Sequence, residues 1–210
     1  AIVLALCLRA FVISAYKIPT GSMAPTLKSG DLIFAWKLPY GVRVPFTKTL
    51  LISPSLPKRG DVVVFRYPED ERISFVKRVV GLPGDRVEIR QKRLFVNGEL
   101  LHYENAGKEL IDDLPGKDVS IVQTEIYGEK RYNVMFRKGE DDDSFGPEVV
   151  PADRLFVLGD NRDSSDDSRY WGTVPINNLE GRAFFIWMSL DWDSRNKTSG
   201  LPRVRTERVF

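Results

Sequence analysis

The 210-residue chain contains one cysteine, one histidine and three methionines. A single thiol excludes a disulfide within the chain. Cys7 stands among Ile2, Val3, Leu4 and Leu6, a setting for a packed side chain rather than a reactive thiolate or metal ligand. With His102 alone, a histidine-based zinc site lacks its usual second ligand, and any Ser/His/Asp triad would have to use this one residue. His102 follows the Asn97-Gly98 turn and opens a return strand, which reads as a surface or packing position. Charge of one sign is not in excess either. Lys plus Arg number 31 against 29 Asp plus Glu, so a net charge of +2 offers no field for a nucleic acid partner. Internal repeats and low-complexity tracts are also lacking. What the chain has is 16 Gly, 13 Pro and many β-branched and aromatic residues, the composition of a turn-rich β protein with one well-buried core.

Ala1 to Tyr16 is apolar except for Arg9, and the chain begins without methionine. The expected reading is the end of a membrane-anchoring helix whose earlier turns are missing; a cleaved secretory signal and a buried core helix are the alternatives. Arginine near a bilayer centre costs about 2.5 to 3.5 kcal/mol, so Arg9 is expected at headgroup level, with Ser22 within roughly 45 Å of it. Period-two apolar patterns then predict strands over Leu32–Trp36, Asp61–Tyr67, Ile73–Val80, Arg154–Leu158 and Arg182–Met188. Hairpins are expected for Val87–Ile89 with Leu94–Val96 and for Ser120–Ile126 with Arg131–Phe136, and Asn97-Gly98 reads as a type I′ turn. Residues 38–58 read as a long loop, 104–118 as an excursion, and the acidic run Glu140–Asp143 as solvated. A turn of helix is expected within Val174–Leu179, and the tail from Asp193 reads as loose.

Three segments carry chemistry. In Lys17-Ile-Pro-Thr-Gly-Ser-Met-Ala-Pro-Thr-Leu27, two prolines and Gly21 present Ser22 stiffly on a turn, although Thr-Gly-Ser also suits a linker. In Phe75-Val-Lys-Arg-Val-Val80, a strand places Lys77 on the face of Phe75 and Val79. Burial there would lower its pKa toward 7 or 8, at a cost of roughly 3 to 5 kcal/mol, and make it a general base. The plainer reading is that Lys77 and Arg78 guard an edge strand. The block Gly159-Asp-Asn-Arg-Asp-Ser-Ser-Asp-Asp-Ser-Arg169 lacks the Gly and late Glu of an EF-hand loop. It reads better as a rigid turn cross-linked by Asp160, Asp163, Asp167, Arg162 and Arg169.

Gly-Ser-Met-x-Pro-Thr-Leu, Lys-Arg in a strand before Gly81-Leu-Pro-Gly-Asp85, and Gly-Asp-Asn-Arg-Asp-x-Ser-x-Asp-Ser-Arg, in that order, closely resemble the type I signal peptidases. These are membrane-bound serine/lysine endopeptidases that remove signal peptides from exported proteins. The likeness covers the apolar entry and residues 16–36, 60–85 and 154–192. It implies an all-β, antiparallel, partly barrel-like catalytic core of residues 17–91 and 152–192, preceded by the end of a transmembrane helix in residues 1–16. A β-rich insert, 92–151, and a tail, 193–210, complete the expected arrangement.

By the same resemblance Ser22 is the nucleophile and Lys77 the general base. The Ser22 N–H and the Thr20 hydroxyl form an oxyanion hole; many members carry serine at the Thr20 position. Ser165 orients the Lys77 ammonium, Asp167 and Arg169 fix that loop, Asp160 supports it, and Ser164 stands where a polar neighbour is expected. Ile18, Pro19, Met23, Leu27, Phe75 and Val76 line shallow pockets for small side chains, typically alanine, one and three residues before the cut. Preproteins with signal peptides and the lipid bilayer are the implied partners. No cofactor, metal or nucleic acid is expected, and the catalytic part is expected on the extracytoplasmic side of a bacterial cell membrane.

Two other readings share some of these features. Self-cleaving repressor-type proteases also use serine and lysine, but the upstream portion here is apolar, and the only Ala-Gly, Ala106-Gly107, lies downstream of Ser22. A non-catalytic, membrane-tethered β scaffold would suit Trp187, Met188, Leu190 and Trp192. Such a scaffold has no use for a lysine on an apolar face.

Overall fold

The computed structural model describes residues 12–41, 55–106, 120–139, 144–192 and 200–209. Strands β1 (Ile13–Lys17), β2 (Asp31–Trp36), β3 (Val62–Arg66), β4 (Ser74–Gly81), β12 (Arg154–Leu158), β13 (Val174–Pro175), β14 (Leu179–Asp191) and β15 (Arg203–Val204) form the main sheet. Its order is β1-β2-β14-β3-β4-β12-β13, with β15 paired to β14. A second sheet, β11-β5-β6-β7, is built from Phe145–Val149, Arg86–Arg90, Arg93–Val96 and Glu99–Leu100. The third, β10-β9-β8, uses Lys130–Arg137, Ser120–Tyr127 and His102–Asn105. Strand pairing in all three is antiparallel.

The period-two runs predict the long strands because each has a face to bury. Val63 and Phe65 of β3, Val79 of β4 and Leu155 and Val157 of β12 close one core cluster. Val80, Val87, Leu94, Phe156 and Leu158 join the main sheet to the second. Phe65 and Phe156 have no exposed surface, and burial of such a side chain contributes about 1.5 to 3 kcal/mol. Asn97 (φ 56°) and Gly98 (φ 85°) both take left-handed backbone, which sets Val96 opposite Glu99 as a type I′ turn requires. His102 is exposed beside Glu104.

Two expectations need correction, one holds in part, and one strand was not foreseen. Ile13–Tyr16 is not the last turn of a helix: these residues pair with Ile33–Trp36 as an edge strand, because an apolar run ending in Ile-Ser-Ala-Tyr also satisfies a half-buried β period. The turn of helix expected within Val174–Leu179 is present as a 3-10 turn, Ile176–Asn178, after a two-residue strand. Strand β11 was not expected, since Gly146 and Pro147 interrupt its pattern. The tail is docked over 200–209, where β15 pairs with β14 and Arg205 and Arg208 reach the fully buried Asp31.

Among the described residues no helix is long and apolar enough to cross a membrane. The expected anchor over 1–11 lies outside those residues. So do 42–54 of the long loop, 107–118 of the excursion, the acidic run and 193–199 of the tail.

Candidate active site

The three chemistry-bearing segments converge on one groove of about 450 Å³. One wall is the chain leaving β1, with Ile18, Pro19, Thr20 and Met23; the other is β4, with Phe75 and Val76. Leu27, expected beside them, does not line the groove. It packs beneath it with Ile18, Met23, Ile33, Val64 and Ile186, because the one-turn bond from Leu27 N–H to Met23 O (2.9 Å) rolls its side chain inward.

Ser22 and Lys77 meet across these walls. Lys77 Nζ lies 2.8 Å from Ser22 Oγ and 5.4 Å from the centroid of the Phe75 ring, and the lysine is only 4% exposed. Burial is the main influence on this amine and lowers its pKa to about 8, against an opposing pull from Asp167, Asp166 and Asp160. The amine can therefore be neutral near neutral pH and accept the serine proton. Thr20 Oγ1 is 3.4 Å from Ser22 Oγ on the exposed rim, and among the described residues no acceptor takes the Ser22 N–H.

The polar block turns tightly behind the pair. A 3-10 turn, Arg162–Ser164, leads into a short helix, α1 (Ser168–Trp171), whose N-cap Asp167 accepts from the Arg169 N–H. The Asp167 carboxylate also takes the Gly159 N–H (2.9 Å) and the Arg169 guanidinium (2.8 Å). Gly159 leaves room for this turn: a Cβ there would run into the Ser165 side chain and reach 2.5 Å from Ser22 O.

Asp160 supports the block through Arg78, which binds it with both Nε and Nη2, while Thr26 donates to its second oxygen. Ser165 is buried, but among the described residues its hydroxyl has no partner, so the expected bond to the Lys77 amine is not formed. Ser164 lines the groove and accepts from Arg137 Nη2.

A family profile described as signal peptidase, peptidase S26, matches residues 1–188. The chain belongs to the signal peptidase family. Signal peptidase I of Pseudomonas aeruginosa is 42% identical over 213 residues, covering 94% of this chain and 71% of that protein. Signal peptidase I of Pseudomonas fluorescens is also 42% identical, over 88% of this chain and 68% of its own length. A solved signal peptidase I from Enterococcus faecalis V583 is 30% identical, covers 61% of this chain and 97% of its own, and has a TM-score of 0.41.

For this signal peptidase family member the sequence reading missed two contributors to the site. Asn161 donates from its backbone to Ser22 O (3.1 Å) and from Nδ2 to Gly21 O (3.2 Å), tying the polar block to the serine turn. Arg78 is no edge guard but a buried post for Asp160. Its place beside Lys77, on the opposite face of the same strand, was the available signal.

Proposed function

We propose that this chain is a serine endopeptidase of the bacterial cell membrane that removes N-terminal signal peptides from exported preproteins, with Ser22 as nucleophile and Lys77 as general base. The 2.8 Å contact between Ser22 Oγ and a buried Lys77 amine, both lining a largely apolar groove, carries the reading. Ser22 Oγ attacks the scissile carbonyl carbon while its proton passes to neutral Nζ. The resulting oxyanion is met by the Ser22 N–H and the Thr20 hydroxyl. Collapse breaks the C–N bond, and Nζ returns the proton to the departing amine. Water then repeats the sequence on the acyl-enzyme.

Shallow walls made by Ile18, Pro19, Met23, Phe75 and Val76 suit alanine-sized side chains before the cut. Trp36 (40%), Phe184 (47%), Phe185 (36%) and Trp192 (42%) are exposed on or next to β2 and β14. Indole rings favour the bilayer surface and phenyl rings its apolar side, which supports contact of these strands with a membrane; the extracytoplasmic side follows from the family resemblance alone.

The test is incubation of the protein with a preprotein whose signal peptide ends in Ala-x-Ala. One cut after that motif is expected. Ser22→Ala and Lys77→Arg should be inactive, the latter because a guanidinium does not give up its proton at working pH. Thiol reagents and chelators should leave the cut intact. Cleavage by Ser22→Ala, or loss on chelation restored by one metal, would overturn the reading.

A further inference from the structure

From Asp160 to Ser164, the polar turn is held by residues of the insert. Met135 N–H donates to Asp160 O (2.8 Å). Lys92 Nζ (2.8 Å) and the Arg137 N–H (2.6 Å) both reach Asp163, and Arg137 Nη2 donates to Ser164 Oγ (2.8 Å). The deepest tie is Glu125 of β9, which has no exposed surface. Its carboxylate accepts from Tyr103 Oη (2.7 Å), Tyr132 Oη (2.5 Å) and Arg162 Nη2 (2.8 Å), and forms an ion pair with Arg162 Nη1 at 2.8 Å.

Arg162 is itself buried, and a guanidinium out of water stays there only while its charge is met. Without Glu125 its side chain has reason to leave, and the turn has reason to follow. Two consequences reach the chemistry. Asn161, one residue earlier, grips Ser22 O and Gly21 O. The Arg162 carbonyl accepts from Arg169, whose guanidinium holds Asp167, which in turn holds Gly159. Tyr132 serves both sides, since its ring lies 4.0 Å from the Arg78 guanidinium carbon that pairs with Asp160.

We propose that Glu125 is a positioning residue for the Ser22–Lys77 pair: acting through Arg162, it sets the turn whose Asn161 grips the nucleophile's backbone, and so makes the insert part of the catalytic apparatus. This rests on the assignment of Ser22 and Lys77 made above. Misplacement of a reacting group by an ångström costs up to about a hundredfold in rate, so the effect belongs in turnover rather than in substrate capture.

The experiment compares wild type, Glu125→Gln and Tyr132→Phe, with turnover counted per Ser22 titrated by an acylating serine reagent. Misfolded molecules then drop out of the count. For Glu125→Gln, kcat per titrated site should fall roughly tenfold to a hundredfold with KM unchanged within about twofold. Tyr132→Phe, which leaves the ion pair in place, should lower kcat by a smaller factor. If both variants turn over like wild type per titrated site and only melt earlier, Glu125 serves stability alone and the proposal fails. Should Glu125→Gln not fold, Tyr132→Phe decides by the same criterion. Ser22→Ala is run beside them. Cleavage by that variant would sink the serine assignment itself, whereas an inactive Ser22→Ala with an unaffected Glu125→Gln would sink only the role of Glu125.

Discussion

Arg78 and Asp160 face each other in a buried two-pronged contact, Nε to Oδ1 at 2.7 Å and Nη2 to Oδ2 at 2.6 Å. The residue beside Arg78 on the same strand is treated in the opposite way. Among the described residues no carboxylate comes within ion-pair distance of Lys77 Nζ, which instead meets Ser22 Oγ and an aromatic face. One cation of the Lys-Arg pair is neutralised by a partner, and the other is left to lose its proton.

The first consequence is a pH profile. With the Lys77 pKa lowered to about 8, mainly by burial, kcat/KM should climb about tenfold per pH unit below that value and level off above it. Initial rates on a signal-peptide substrate check this. A flat profile from about pH 6 to 8 would remove Lys77 as the base.

Lys77 also sets a stability trend. Below about pH 8 both the folded and unfolded chains hold its proton, and the folded state bears the whole cost of the buried ammonium. Between about 8 and 10.5 only the unfolded chain holds it, so stability rises with pH; above 10.5 the cost is gone. The size is at most roughly 3 kcal/mol. Lys77→Met should therefore be inactive yet more stable than wild type by about 1 to 3 kcal/mol at neutral pH. Denaturant unfolding should show that gain shrinking as pH approaches 10.5. A gain of the same size at every pH would mean that the amine is not desolvated.

Gly159→Ala tests the closeness of the turn to the nucleophile. The added methyl would collide with the Ser165 side chain and press on Ser22 O at 2.5 Å. We expect a loss of about 1 to 3 kcal/mol in stability and of roughly a hundredfold in kcat. Adding Ser165→Ala should recover part of both, since it removes one of the colliding atoms. Wild-type turnover in Gly159→Ala would show that the turn can retreat without moving Ser22.

The docked tail has its own test. Asp31 is fully buried; it accepts from the Lys28 N–H, Ser189 Oγ and Arg208, and Arg208 also donates to Thr26 O. Arg208→Gln removes, from a part-buried side chain, the charge that meets the buried Asp31 and should cost about 1 to 3 kcal/mol, read as a lower thermal midpoint. Retention of the wild-type midpoint would mean that Arg208 contributes nothing to holding Asp31.

Most strands were legible because β-branched alternation and turn residues are local signals, as in Val62–Arg66 or the Asn97-Gly98 hairpin. The strands that escaped notice were of two kinds. Some are short or interrupted, as β11 is at Gly146-Pro147; β1 lies at the end of an apolar run with more than one reading. Within the site, counting removed only the usual histidine base and cysteine nucleophile; Ser22 and Lys77 stood out because each lies in a segment that resembles a signal peptidase motif. Leu27 was placed wrongly in the groove wall because spacing along a turn does not say which way a side chain rolls.

The sequence by itself determined the local alternation of its strands, its tight turns and which residue types were available for chemistry, since each of these depends on neighbours within a few positions. Only the tertiary structure decided which of them meet. Ser22 and Lys77 are 55 residues apart, Arg78 and Asp160 are 82 apart, and Asp31 and Arg208 are 177 apart. Those encounters depend on strand order and register in the sheet, and on an amine losing its water only after the walls around it have closed.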